Sequence, residues 1–168
     1  MKMHSAAVLA VLGFGVAHAA VAASLPARES GLWQSTTTVT GADGKPLPNA
    51  ENVVTVSCVD PSTDIKFFTS NDNSCTSLTV SGSGAKYAID GSCMQSGKPV
   101  RIHETLDYAS AQSVTLKAAI DSPSGPLTVT SQLQWQGQCQ AGMEPGDEGS
   151  MVDGAFSKAD NINDPGGL

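Results

Sequence analysis

The chain has 168 residues, of which sixteen are acidic and nine basic, for a formal net charge of −7. That balance, with no cluster of Lys or Arg, excludes a phosphate-binding nucleic-acid surface and a polybasic patch for anionic lipid. The four cysteines and 40% hydrophobic content suit one small globular domain rather than a membrane span or a disordered polymer.

The N-terminus begins with a basic head, Met1-Lys2-Met3-His4, and an apolar run over residues 6–16. A bilayer-spanning helix needs roughly 20 apolar residues, so this run is too short. It ends in Ala17-His18-Ala19 and Ala20-Val21-Ala22, two small-x-small sites of the kind signal peptidase accepts. Residues 1–23 are therefore expected to be a secretory signal, cleaved after Ala19 or within Ala22–Ala23. The first cysteine, Cys58, is too distant to carry a lipid at a new N-terminus.

Residues 24–139 read as one all-β domain. Successive strand side chains point to opposite faces, so period-two alternation marks a half-buried strand. Gly31-Leu32-Trp33 opens a Thr-rich first segment, and Val54, Val56 and Cys58 form a second stripe. Asp60-Pro61 then reads as a helix cap with proline in the first turn, with Ile65 and Phe68 on one face of a short helix. Leu78/Val80 and Tyr87/Ile89 flank Gly82-Ser83-Gly84 as a hairpin. Stripes follow at Val100, Ile102 and Leu106, at Val114, Leu116, Ala118 and Ile120, and along residues 127–139, where every even position is Thr or Gln. The expected fold is about seven antiparallel strands in up-and-down order with one short helix. The sheet is a curved one, a small barrel or a sandwich. Residues 140–168 carry six acids and one base without periodicity and read as a disordered acidic tail.

An even cysteine count in an exported chain reads as disulfides. The spacings of Cys58, Cys75, Cys93 and Cys139 lack the close pairs of a structural zinc site. Cys58 shares parity with Val56, and Cys139 shares it with Leu133 and Trp135, which favours Cys58–Cys139 on the core face. Cys75–Cys93 then closes the hairpin. Pairing Leu78 with Ile89 leaves these two cysteines one residue out of register, so a bulge must intervene or Cys75 must lie outside the ladder.

Little catalytic chemistry is available. His103 is the one histidine beyond the leader, and it stands on the wet side of its strand. No nucleophile elbow or phosphate loop accompanies it. No metal and no cofactor is expected. Glu104 is the anomaly: its parity puts it with Ile102 and Leu106 on the dry face, where an unpaired carboxylate is costly. It is a candidate ligand-facing residue at a cavity mouth, or else a strand irregularity turns it to water. Trp33 and Trp135 are candidate stacking platforms, or else core.

The Gly31-Leu32-Trp33 start, Val56-Ser57-Cys58-Val59, the Cys75…Cys93 hairpin and a last strand ending at Cys139 resemble the exported bacterial family known as domain of unknown function thirty-six seventeen. The resemblance covers residues 30–140. It implies a periplasmic or secreted protein of Gram-negative bacteria and no established activity. The expectation is a monomeric, non-enzymatic envelope protein that binds a small apolar molecule or an envelope protein. The alternatives are an interaction module without a ligand, or a hydrolase using carboxylates such as Glu104 and Asp107. An apolar cavity of about 300 Å³ or more favours a ligand binder.

Overall fold

The computed structural model describes residues 23–69, 75–95 and 97–164. The leader expected over residues 1–23 lies outside them except for its last residue. Seven strands form where the alternation predicts them: β1 (Gly31–Thr40), β2 (Val53–Val59), β3 (Cys75–Ser83), β4 (Lys86–Gln95), β5 (Lys98–Ser110), β6 (Ser113–Ser122) and β7 (Gly125–Gly137). A single helical turn, α1 (Lys66–Thr69), lies between β2 and β3. Two more strands, β8 (Asp147–Val152) and β9 (Ala155–Asn161), follow β7.

All nine join one antiparallel sheet in the order β3-β4-β5-β6-β7-β1-β2-β8-β9. It is open, not a barrel or a sandwich. β7 pairs antiparallel with β1, so the meander β3–β7 continues across the sheet into β1 and β2 without a parallel crossover. The sheet curls strongly. Val59 of β2 and Ile89 of β4 stand five strands apart in that order, yet both belong to one buried cluster with Trp33, Phe68, Leu106, Tyr108, Val114 and Leu133. Right-handed strand twist produces such coiling, and α1 fills the hollow. Phe68 and Tyr87 both pack edge-on against Tyr108, with ring centroids 6.5 and 6.0 Å away.

The approach to α1 is capped as expected but packs differently. The Asp60 carboxylate accepts from the Ser62 and Thr63 N–H groups, both at 2.9 Å. Ile65, expected inside beside Phe68, is exposed. Thr63 and Asp64 are buried, and Phe67 joins Phe68 against the core. The segment winds as turns up to residue 65 and becomes helical only at Lys66, so helical spacing does not apply to Ile65.

The Gly-Leu-Trp opening divides its labour among three residues. Trp33 is fully buried on the inner face, and its Nε1 donates to the Glu29 carbonyl at 2.7 Å. Leu32, one residue away, is buried on the other face opposite Cys58. Gly31 sits at φ +136° where β1 meets the end of β7. A Cβ there would overlap the Gly137 carbonyl oxygen and stand 2.7 Å from Trp135 Nε1. Gly31→Ala is expected to destabilise the domain by about 2 kcal/mol, from strain and forced separation of β1 from β7. Urea denaturation with an unchanged m-value checks this.

Both expected disulfides form, Cys58–Cys139 and Cys75–Cys93. The β3/β4 ladder carries the irregularity their parity demanded, a register shift between Cys75 and Ser77. The hairpin register itself is corrected: Val80 pairs with Ile89 and Leu78 with Gly91, because the turn centres on Gly84 and Ala85. This two-residue displacement keeps every side chain on its predicted face. The face of Cys58 is also corrected. Ser57 pairs with Trp33, so Ser57 and Val59 point inward while Val56 and Cys58 point outward. Cys58 is nonetheless 3% exposed, because Cys139 crosses the outer side of β2 and the Gly146 N–H donates to the Cys58 carbonyl at 2.8 Å.

That crossing explains why residues 140–164 are ordered, where the sequence led to the expectation of a disordered tail over residues 140–168. From the anchored Cys139 the chain returns to β2, where Val56 and Ser57 pair with Gly149 and Glu148. The order comes from a polar centre rather than apolar periodicity. Asp147 is 1% exposed. Its carboxylate accepts from the Glu144 N–H at 2.8 Å and Asn161 Nδ2 at 2.7 Å, and pairs with Lys158 at 2.6 Å. Burial raises the Asp147 pKa, but these partners outweigh it and hold the carboxyl below the usual range.

Candidate functional site

The inner face changes character along its length. Across β4 to β6 it is apolar apart from Glu104, but at β7, β1 and β2 it turns to hydroxyls: Ser131, Thr37, Ser35, Thr55 and Ser57 share the face of Trp33. Where α1 covers this polar end, a cavity of about 210 Å³ remains. Phe67, Phe68 and Leu133 give it apolar walls, and Arg28 and Glu148 add charges.

Arg28 is the chemical centre. Its side chain is 1% exposed. Its backbone N–H and Nε both donate to the Asp64 carboxylate, at 2.9 and 2.7 Å. The guanidinium also faces the rings of Phe68 at 4.4 Å, Trp33 at 4.7 Å and Phe67 at 5.7 Å. Its Nη2 has no hydrogen-bond partner among the described residues. Burial pushes the Arg28 pKa down, and Asp64 works against that shift. Glu148, from β8, reaches the same cavity. Burial raises its pKa and Asp160 adds to the rise, while Arg28 opposes it. Arg28, Phe67 and Glu148 carry no periodic signal and were missed from the sequence. The Asp64 partnership spans 36 residues of chain, and Glu148 lies in a segment read as disordered.

The three residues expected to face a ligand are placed separately. Trp33 and Trp135 are cross-strand partners, and both indole N–H groups are spent on backbone carbonyls, those of Glu29 and Ser30. Trp33 stacks under Arg28 rather than presenting an open platform. Glu104 is on the inner face between Ile89 and Ala118, two strands from Val129 at the cavity edge. Its Oε1 has no partner among the described residues, and burial pushes its pKa up to about 7.

This shift has a stability consequence. The unfolded carboxyl titrates near 4.5, the native one near 7. Between those values the native state holds the extra proton, so stability falls as pH rises from about 4.5 to 7 and levels off above. Glu104→Gln is expected to add up to about 3 kcal/mol at pH 8 and almost nothing at pH 4. Denaturation midpoints at the two pH values check it; an equal gain at both would show that the gain does not come from removing a buried charge.

The outer face holds two larger but shallow depressions of about 560 and 540 Å³. Except for Lys117, whose cross-strand neighbours are Thr105 and Thr130, their charges already meet opposite charges across neighbouring strands. His103 Nδ1 pairs with Asp90 at 2.7 Å, Lys86 with Asp107 at 3.1 Å, and Arg101 stands opposite Asp121. Such pairs stabilise a sheet and leave no unmet buried group, so the smaller inner cavity is the stronger candidate. Glu104 and Asp107 lie three residues apart on one strand and thus on opposite faces. Among the described residues no cluster of His, Cys, Asp and Glu could hold a metal ion, and no helix is long and apolar enough to cross a membrane.

The model of a family described as protein of unknown function (DUF3617) matches residues 28–139. The matched span begins at Arg28 and ends at Cys139, so it takes in both disulfides and every cavity-lining residue except Glu148. No curated protein matches the chain.

Proposed function

The chain belongs to the DUF3617 family, whose function is unknown, and from that premise we propose that it is an exported, non-enzymatic envelope protein that binds a small ligand on the inner face of its sheet. One observation carries this reading: a cavity of about 210 Å³ on the inner face, lined by hydroxyls, by Phe67 and Phe68, and by the charged Arg28 and Glu148. The volume falls below the ~300 Å³ typical of sites for drug-sized molecules, and half the lining is polar. The ligand is therefore smaller and more polar than the apolar molecule expected from the sequence. Export rests on the leader pattern of residues 1–23 and on two disulfides, which persist in oxidising compartments.

Native mass spectrometry of the protein isolated from periplasm tests the reading. The expected mass begins at residue 20 or near residue 23, lacks four hydrogens for two disulfides, and carries a small adduct lost on denaturation. A mass without adduct at every collision energy would count against a ligand. It would favour an interaction module, for which β3 offers an edge strand without charge or proline.

A further inference from the structure

We propose that the end of the inner face beyond α1 is a second binding site, and that it takes a single-chain amphiphile with a primary ammonium head, the ammonium donating to the Glu104 carboxylate and the chain lying across β5, β6, β7 and β1. The site is distinct from the cavity beneath α1. Strand register builds it. One row of inward side chains runs from Val80 through Ile89, Glu104, Ala118 and Val129 to Val39, with Glu104 as its polar member. The next row away from α1 holds Ile102, Ile120 and Leu127, with Leu78 at its β3 end. Phe67 and Phe68 cover the opposite end, around Trp33, Tyr108 and Leu133. Away from them Val39, Ile102, Ile120, Leu127 and Val129 are only half-buried and Leu78 is exposed. Apolar surface thus stays open on the concave side of the sheet, as at interaction sites.

Glu104 selects the head group. The residue is partly exposed: Oε1 is closed off without a partner, while Oε2 has no hydrogen bond among the described residues and stays reachable. Among the described residues no cation pairs with it. Its cross-strand neighbours are Ile89 and Ala118, Lys66 of α1 is bonded to Asn163, and Arg28 is held by Asp64. Tyr108, on the same face of β5, stays protonated because burial pushes its pKa up. A carboxylate in an apolar row repels an anion, and a neutral alcohol leaves its charge uncompensated; an ammonium compensates it. With one oxygen reachable, a guanidinium loses its two-pronged bond. Among the described residues no cluster of His, Cys, Asp and Glu would complete a metal site around it. The apolar rows select the body. Val39 stands three strands from Glu104, about 14 Å at the usual strand spacing, which a chain of about ten carbons spans.

Amide chemical shifts of the full exported domain, titrated with decylammonium at pH 8, test the proposal, with butylammonium, 1-decanol and decanoate as comparison probes. Decylammonium is expected to bind most tightly, with shifts at Val39 and over residues 102–104, 118–120 and 127–129. Affinity is expected to rise about twofold with each methylene from butyl to decyl, as for a half-buried chain. Ionised Glu104 is the binding form, and its pKa of about 7 makes the affinity fall about tenfold from pH 8 to pH 6. Glu104→Gln, a variant of higher stability at pH 8, is expected to weaken binding at least about tenfold. Asp107→Asn, which removes a charge from the outer face of the same strand, is expected to leave it unchanged. Equal or tighter binding of decanol or decanoate, an unchanged affinity in Glu104→Gln, or silence from decylammonium would overturn the proposal. Shifts at Ser57 and the Phe67–Phe68 turn in place of those expected would overturn it too, and would leave the ligand-binding function of the cavity beneath α1 standing.

Discussion

Replacing Cys58 and Cys139 by serine lowers the unfolding free energy by about 4.5 kcal/mol, the loop-closure entropy for a separation of 81 residues. The same change at Cys75 and Cys93, separated by 18 residues, costs about 3 kcal/mol. The first pair also has a local role that the second lacks. It holds residue 139 against the outer face of β2, from which the chain runs directly to β8. Without it, the β8–β9 hairpin is held to β2 by the pairings of Val56 and Ser57 with Gly149 and Glu148 and by the Gly146 N–H on the Cys58 carbonyl. Hydrogen exchange in the Cys58→Ser/Cys139→Ser variant should therefore rise over residues 144–161 far more than in the β3–β7 meander. Uniform loosening of all nine strands would show instead that the disulfide acts only through the unfolded chain. Because Glu148 rides on β8, loss of this disulfide also opens the inner cavity.

The second large effect is at Asp64. Asp64→Ala is expected to cost about 4 kcal/mol, because it strands the Arg28 guanidinium, 1% exposed, without its counter-charge. Exposed pairs such as Lys86–Asp107 are worth at most about 1 kcal/mol by comparison. The pair differs from a simple stabilising bridge in a measurable way. The double replacement Arg28→Met/Asp64→Leu removes both charges from an apolar setting between Trp33 and Phe68, and is expected to lie within about 1 kcal/mol of the native protein. The coupling between the two sites is then at least about 3 kcal/mol, readable in a double-mutant cycle by urea denaturation. That folded double variant also removes the Arg28 charge from the cavity lining, so it separates ligand recognition from stability.

Strand positions were legible because a half-buried sheet writes its faces into alternate residues. The stripes at Val114, Leu116 and Ala118 and along residues 127–137 became β6 and β7 with the predicted sides inward. The irregularity between Cys75 and Cys93 was legible for the same reason: two bonded side chains of the wrong parity require a bulge. The side on which Cys58 lies was not. Val54, Val56 and Cys58 alternate as cleanly as any core stripe, but Ser57 and Val59 point inward, and Val54 is 48% exposed. Alternation says that one set of residues is shielded; it does not say whether the core or a returning segment shields it.

The sequence by itself determined an acidic, disulfide-bonded, antiparallel sheet of one family, with Glu104 at the parity of the inner face, because these follow from composition, parity and cysteine count. Only the tertiary structure decided what becomes of the segments without a period. The Asp147 centre orders residues 144–161 through polar bonds that leave no spacing signature. Arg28 becomes the buried heart of the candidate site only because the turn before α1 lays Asp64, Phe67 and Phe68 over it. Periodicity reports how a strand meets water; contacts between distant irregular segments depend on where the folded sheet carries them.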